Sequence, residues 1–146
     1  LAASEAQVRG ALGDYLLWGG FPEVVQAPPD LRPLIIQEYA SLLYARDLIE
    51  SHGLRKEKLL RSLLRHFYRH TGSLISPLKL HGDMQSQGLT ATKNSVYEYL
   101  AILEESGLMY LLPVWSESLR IQSQNPKKLH ATDTGLIKGS GASDTC

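Results

Sequence analysis

The sequence is poor in cysteine, in long apolar runs and in net charge. Its one cysteine is Cys146 at the last position, which leaves neither a disulfide framework nor a set of zinc-spaced thiolates. A reducing compartment, the cytoplasm, is therefore expected. No apolar run approaches the roughly 20 residues a membrane-spanning helix needs, and no charged-then-apolar leader is present, so no membrane association is expected. Nothing has the Gly-Lys-Ser/Thr form of a phosphate-binding loop, and Gly139-Ser140-Gly141 does not replace one. Nucleotide hydrolysis by these residues alone is thus excluded as a working hypothesis. The chain opens on Leu1 without methionine, as expected of a piece of a longer protein.

What is present is an ordinary globular composition, 43% hydrophobic and 21% charged over 146 residues, enough to bury a real core. The formal net charge is zero, but the charges are unevenly placed. Residues 1–53 hold three basic side chains (Arg9, Arg32, Arg46) against seven acidic ones, and residues 54–138 hold twelve basic against seven acidic. This asymmetry fits either solvated faces that differ by chance or a basic half that meets a polyanion.

The apolar spacing predicts a mainly helical fold. Glu5 to Trp18 reads as a helix with Val8, Leu12, Leu16 and Tyr15 on one side, Ser4 as its cap and Gly19-Gly20 as its stop. Phe21-Pro22 redirects the chain, and Ala27 to Asp30 is rich in turn residues. A second helix is expected from Arg32 or Pro33 to about His52, capped by Asp30, with Ile35, Tyr39, Leu42 and Ile49 as its stripe. Arg46 falls within that stripe. It needs a carboxylate or carbonyl partner if its head is buried, or a buried stem with an exposed head.

A third helix, from about Arg55 to His70, sets Leu59, Leu60, Leu63, Leu64 and Phe67 on a core side, with Arg61, Arg65 and Arg69 as a basic ridge. Ser73 to Ser76 reads as a short strand. Ser76 then caps a helix from Pro77 to about Gln87 with Leu78, Leu80 and Met84 as its apolar residues. Thr92 caps the clearest helix, whose buried face is Val96, Tyr99, Leu100 and Leu103 and whose stop is Gly107. Leu108 to Trp115 is a strand interrupted at Pro113, and Lys127 to Thr132 is its return. The fold class expected is a winged helix-turn-helix, three helices plus a small β-hairpin wing, over residues 54–136. A helical annex precedes it at 1–53 and a loose tail follows at 137–146.

Four segments carry a resemblance beyond fold class: Gly19-Gly20-Phe21-Pro22-Glu23, Tyr44-Ala45-Arg46-Asp47, the helix-turn-helix run ending at Gly107, and Asn125-Pro126-Lys127-Lys128 leading to Asp133-Thr134-Gly135-Leu136. In this order they resemble the C-terminal region of unknown function that follows the P-loop domain in bacterial and archaeal AAA-type ATPases. The resemblance implies a DNA-binding or regulatory module of such an ATPase with no catalysis of its own. ATP and Mg are expected only for the missing domain, and no cofactor is expected in this chain. It makes Arg46 an anchor toward the ATPase domain or the winged helix; in such proteins the Asp-Thr-Gly-Leu segment usually leads into a further domain resembling a restriction-endonuclease fold.

Double-stranded DNA is the partner the pattern favours. The N-terminal part of the second helix of a helix-turn-helix enters the major groove, which selects Lys93, Asn94 and Tyr97 for base or phosphate contact. Arg120, Lys127 and Lys128 would reach the adjoining backbone from the wing. Glu98, Glu104 and Glu105 oppose this, and the alternative is a docking module coupling the ATPase domain to another domain or protomer. His66 and His70 have the spacing that lets two imidazoles share a metal ion, but no third ligand is evident, and no metal site is expected. Asp133 is expected to hold the turn before Gly135.

Overall fold

The computed structural model describes residues 4–44, Leu48 and 57–141. Its described elements are mainly helical, with a small three-stranded antiparallel sheet. In chain order they are α1 (Glu5–Trp18), α2 (Pro22–Gln26), α3 (Arg32–Leu42), α4 (Glu57–Arg69), β1 (Leu74–Ile75), α5 (Pro77–Ser86), α6 (Lys93–Glu105), β2 (Met109–Leu112), α7 (Leu119–Gln124), β3 (Lys127–Ala131) and α8 (Thr134–Gly139).

The core is assembled by α4, α5 and α6. Leu60 and Leu63 of α4, Leu80 and Met84 of α5, and Val96 and Leu103 of α6 are fully enclosed, with Leu129 of β3 and Met109 of β2 closing one side. Each helix starts where its sequence allows. Ser76 accepts the Lys79 N–H at the head of α5, and Thr92 forms a reciprocal capping box with Ser95 at the head of α6. Gly107, at φ +66°, supplies the left-handed turn that lets the chain leave α6 and enter β2.

The strand order is β1-β3-β2, all antiparallel. Leu74 faces Lys128 and Ile75 faces Lys127 across one pair; Tyr110 faces His130, and Leu112 faces Lys128, across the other. Side chains alternate between the two faces of such a sheet, so Leu129 is enclosed by the helices while Leu74, Tyr110 and Leu112 lie open on the outer face.

The N-terminal elements are held by the far end of the chain. Helix α8 packs along α3 and against α1, close enough that a Cβ on Gly139 would press on the Ile36 carbonyl at 2.6 Å. Residues 137–139, expected within a loose tail, therefore belong to a helix. Residues 142–146 lie outside the described residues, as does the expected boundary between residues 53 and 54.

Several local expectations are corrected. Helix α3 is preceded by Leu31, with no side-chain cap, so Asp30 does not cap it. Its enclosed residue is Ile36, while Ile35 and Tyr39 are half-buried and Leu42 is exposed. The burying neighbour, α8, lies toward Ile36 rather than toward the side the spacing selected. Ile49 and the expected end near His52 are outside the described residues; Leu48 is buried in the core. Pro22 opens a short helix, α2, in addition to redirecting the chain. Leu78 is 60% exposed on α5, because the contacts of that helix are filled by Leu80 and Met84. Helix α1 forms with its Ser4 cap, yet Val8, Leu12, Tyr15 and Leu16 all lie open.

Candidate nucleic-acid interface

The capping box at Thr92 fixes where α6 begins, and thereby which residues occupy its first exposed turn. With Val96, Tyr99, Leu100 and Leu103 turned into the core, Lys93, Asn94 and Tyr97 are left exposed, Asn94 opposite the buried face and Lys93 and Tyr97 along its border. The structure brings these three together as a basic, amide-bearing and aromatic surface on one helix. Glu98 and Glu105 share the exposed side of the helix. Glu104 is engaged elsewhere, its carboxylate accepting the Leu111 N–H at 3.2 Å.

The β2–β3 connection is more ordered than a polar loop. It contains α7, whose Gln122 side chain donates to the Ser116 carbonyl at 2.6 Å, while Asn125 closes the helix by donating to the Ile121 carbonyl at 2.8 Å. Arg120 is exposed on this helix. Lys127 and Lys128 lie on opposite faces of the sheet, as adjacent strand residues do. Lys128 is exposed on the outer face with Leu74 and Leu112, whereas Lys127 is half-buried on the side of Leu129. Arg46, the expected anchor, lies outside the described residues.

Sequence reasoning missed two features. The first is the exposure of apolar residues in the β2–β3 connection: the strand expected to reach Trp115 ends at Leu112, and Trp115 is 86% and Leu119 78% exposed, with Val114 and Ile121 exposed beside them in sequence. Pro113, which ends the strand just before Val114 and Trp115, was the available signal. The second is the junction of two motifs. Asp133 accepts the N–H of Gly135 at 2.7 Å, as expected for a turn, and also that of Gly20 at 2.8 Å. Thr134 donates to the Tyr15 carbonyl at 3.0 Å. The glycine pair of residues 19–20 and the Asp-Thr-Gly of residues 133–135 thus form one structural clasp.

His66 and His70 lie with ring centroids 4.3 Å apart and planes tilted by 41°. Burial pushes the His66 pKa down, and His70 lowers it further; Asp83 opposes the shift and Lys79 adds to it. Among the described residues no three His, Cys, Asp or Glu side chains gather where they could hold a metal ion. A separate cavity of about 520 Å³ is lined by Tyr44, Arg61, Arg65, Tyr68 and Leu136 among others, and by no residue of α6 or α7. In it the Arg61 guanidinium lies 4.2 Å over the Tyr44 ring, and burial pushes the Tyr68 hydroxyl up to about 12. No described helix is long and apolar enough to cross a membrane.

The chain belongs to the family described as a domain of unknown function (DUF8612), which matches residues 9–140. It is similar to an uncharacterised protein of Haemophilus influenzae, 26% identical over 97 residues that make up 66% of this chain and 24% of that protein. It is also similar to the uncharacterised protein MJ1544 of Methanocaldococcus jannaschii, 26% identical over 133 residues, 88% of this chain and 29% of the relative. The chain therefore spans less than a third of the length of these relatives. No solved structure matches it. The family description names neither an ATPase nor a winged helix, so that resemblance rests on the motifs.

Proposed function

We propose that this member of the DUF8612 family is a winged helix-turn-helix module that binds double-stranded DNA within a longer, cytoplasmic AAA-type ATPase, contributing no catalysis itself. The observation that carries the DNA reading is the exposure of Lys93, Asn94 and Tyr97 in the first turns of α6, outside its buried face. That is where a recognition helix offers side chains to the major groove. The order α4-β1-α5-α6-β2-α7-β3, with β3 between β1 and β2, supports the winged-helix assignment. The β2–β3 connection is then the wing. The ATPase parentage is supported by the four motifs and by the greater length of the relatives.

In this reading Lys93 meets phosphate or guanine, Asn94 reads adenine, and Arg120 and Lys128 hold the backbone from the wing. A second reading, docking to another domain or protomer, is favoured by the open apolar side of α1 and by the exposed apolar residues of the wing. Titration of a labelled duplex with the isolated chain at low and high salt separates the two. DNA binding should weaken steeply as salt rises, by about one counterion per phosphate neutralised. Absence of binding at low salt transfers the module to the docking reading.

A further inference from the structure

We infer that the wing engages an unpaired base through Trp115, so that the preferred ligand is duplex DNA with a single-stranded flank rather than an uninterrupted duplex. The inference rests on the DNA-binding reading and adds to it the form of DNA that is bound.

Scattered exposed apolar residues are normal on a protein surface. Trp115 differs in three respects. It is 86% exposed, and Leu112, Val114, Leu119 and Ile121 are exposed around it in sequence. The loop that carries it is tied down: Gln122 donates to the carbonyl of the next residue, Ser116, and the Ser116 hydroxyl accepts the Ser118 N–H at 3.1 Å. The indole is therefore presented on a braced loop. The segment that carries it is also basic in sequence. Residues 109–131 contain Arg120, Lys127 and Lys128 against the single acid Glu117, a balance that complements a polyanion.

The chemistry of the side chain narrows the ligand further. An indole has one donor and a broad π face, so it reads groove edges poorly and stacks well. In an intact duplex the faces of the bases are covered by their neighbours. They become available where pairing ends or where a step is wedged open. Aromatic side chains beside a positive surface are the usual means of holding such bases without sequence preference. A wing that places Trp115 and Arg120 beyond the end of β2, while α6 faces the adjoining duplex, fits a junction between paired and unpaired DNA.

The test is fluorescence anisotropy at low salt with two labelled ligands of equal phosphate number, a blunt duplex and a duplex with single-stranded tails. The intact chain, Trp115→Ala and Trp115→Phe are compared, with circular dichroism to verify folding. The tailed ligand should bind the intact chain several-fold more tightly than the blunt one. Trp115→Ala should lose about tenfold on the tailed ligand and little on the blunt one, with Trp115→Phe retaining most of the affinity. In a Trp18→Phe background the tailed ligand should quench the remaining indole. Equal affinity for both ligands, or a Trp115→Ala loss that is the same on both, overturns the inference and leaves duplex binding standing. Binding to neither ligand removes the inference and the DNA reading together.

Discussion

Asp133 and Gly20 are 113 positions apart in the chain and joined in space, the Gly20 N–H donating to the Asp133 carboxylate at 2.8 Å. The other carboxylate oxygen caps α8 through the Gly135 N–H. One side chain thereby fixes the exit of α1 and the start of α8. The glycines on either side are required by space. A Cβ on Gly19, whose φ is +78°, would collide with the Asp133 carboxylate, and one on Gly135 would collide with the Trp18 carbonyl.

The clasp predicts an order of damage. Asp133→Ala removes a cap and leaves the Gly20 N–H without its partner, at a cost of about 1–2 kcal/mol. Gly19→Ala should cost more, because it adds a steric collision to an unfavourable backbone conformation. Urea unfolding of the two variants measures both values. A neutral Gly19→Ala would show that α1 and α8 are not held together in this way.

The core around α6 predicts a contrast between two leucines. Leu100 is buried between α6 and its neighbours, and Leu100→Ala should cost on the order of 2–5 kcal/mol. Leu78, one of the three apolar residues expected of α5, is 60% exposed, so Leu78→Ala should change stability by less than about 0.5 kcal/mol. Denaturation midpoints of the two variants test the assignment directly. Similar losses at both sites would contradict the orientation of α5.

These two leucines mark what could be read in the sequence. Helix α6 was legible because a cap, a 3.6-residue apolar period and a terminal glycine all agree. Helix α1 was equally legible as a helix, but periodicity reports only that an apolar side exists. It does not report whether anything in the same chain covers it, and here Val8, Leu12, Tyr15 and Leu16 stay open. The position of α8 depends on close backbone approach at Gly135 and Gly139, a tertiary requirement with no local periodicity. Of the candidate interface, the Lys93, Asn94 and Tyr97 side was legible from the helix phase. The separation of Lys127 from Lys128 followed from strand alternation once the register was known, whereas the exposure of Trp115 depended on how α7 folds back.

His66 predicts a pH dependence. Burial holds its folded-state pKa below the ordinary value of 6.5, so the unfolded chain binds the proton more readily. The stabilising contribution is complete above that unfolded value and is lost as the pH falls through it toward the lowered folded value. Urea midpoints measured between about pH 7.5 and pH 5 should fall with decreasing pH, and the fall should be smaller in His66→Gln. His70, Asp83 and Lys79 face the same group, so the informative quantity is the difference between the two proteins. Parallel curves would remove His66 as the cause.

On the proposed DNA-binding function, the sheet register predicts unequal roles for the two lysines of β3. Lys128 lies exposed on the outer face between Leu74 and Leu112, and Lys127 is half-buried on the face of Leu129. A contact to phosphate that is independent of sequence weakens all duplexes alike, and its loss lowers the slope of log affinity against log salt by roughly one. Lys128→Ala and Lys93→Ala should each behave in this way. Lys127→Ala should change the slope less, because Lys127 is half-buried and its strand position points away from the outer face that carries Lys128. Asn94→Ala should instead alter preference at one base pair by about 1–3 kcal/mol with little change in slope. Salt titrations of the four variants on one duplex, and of Asn94→Ala on a set of single-base variants, check these expectations. A slope lowered by Lys127→Ala and not by Lys128→Ala would mean that DNA approaches from the opposite face of the sheet.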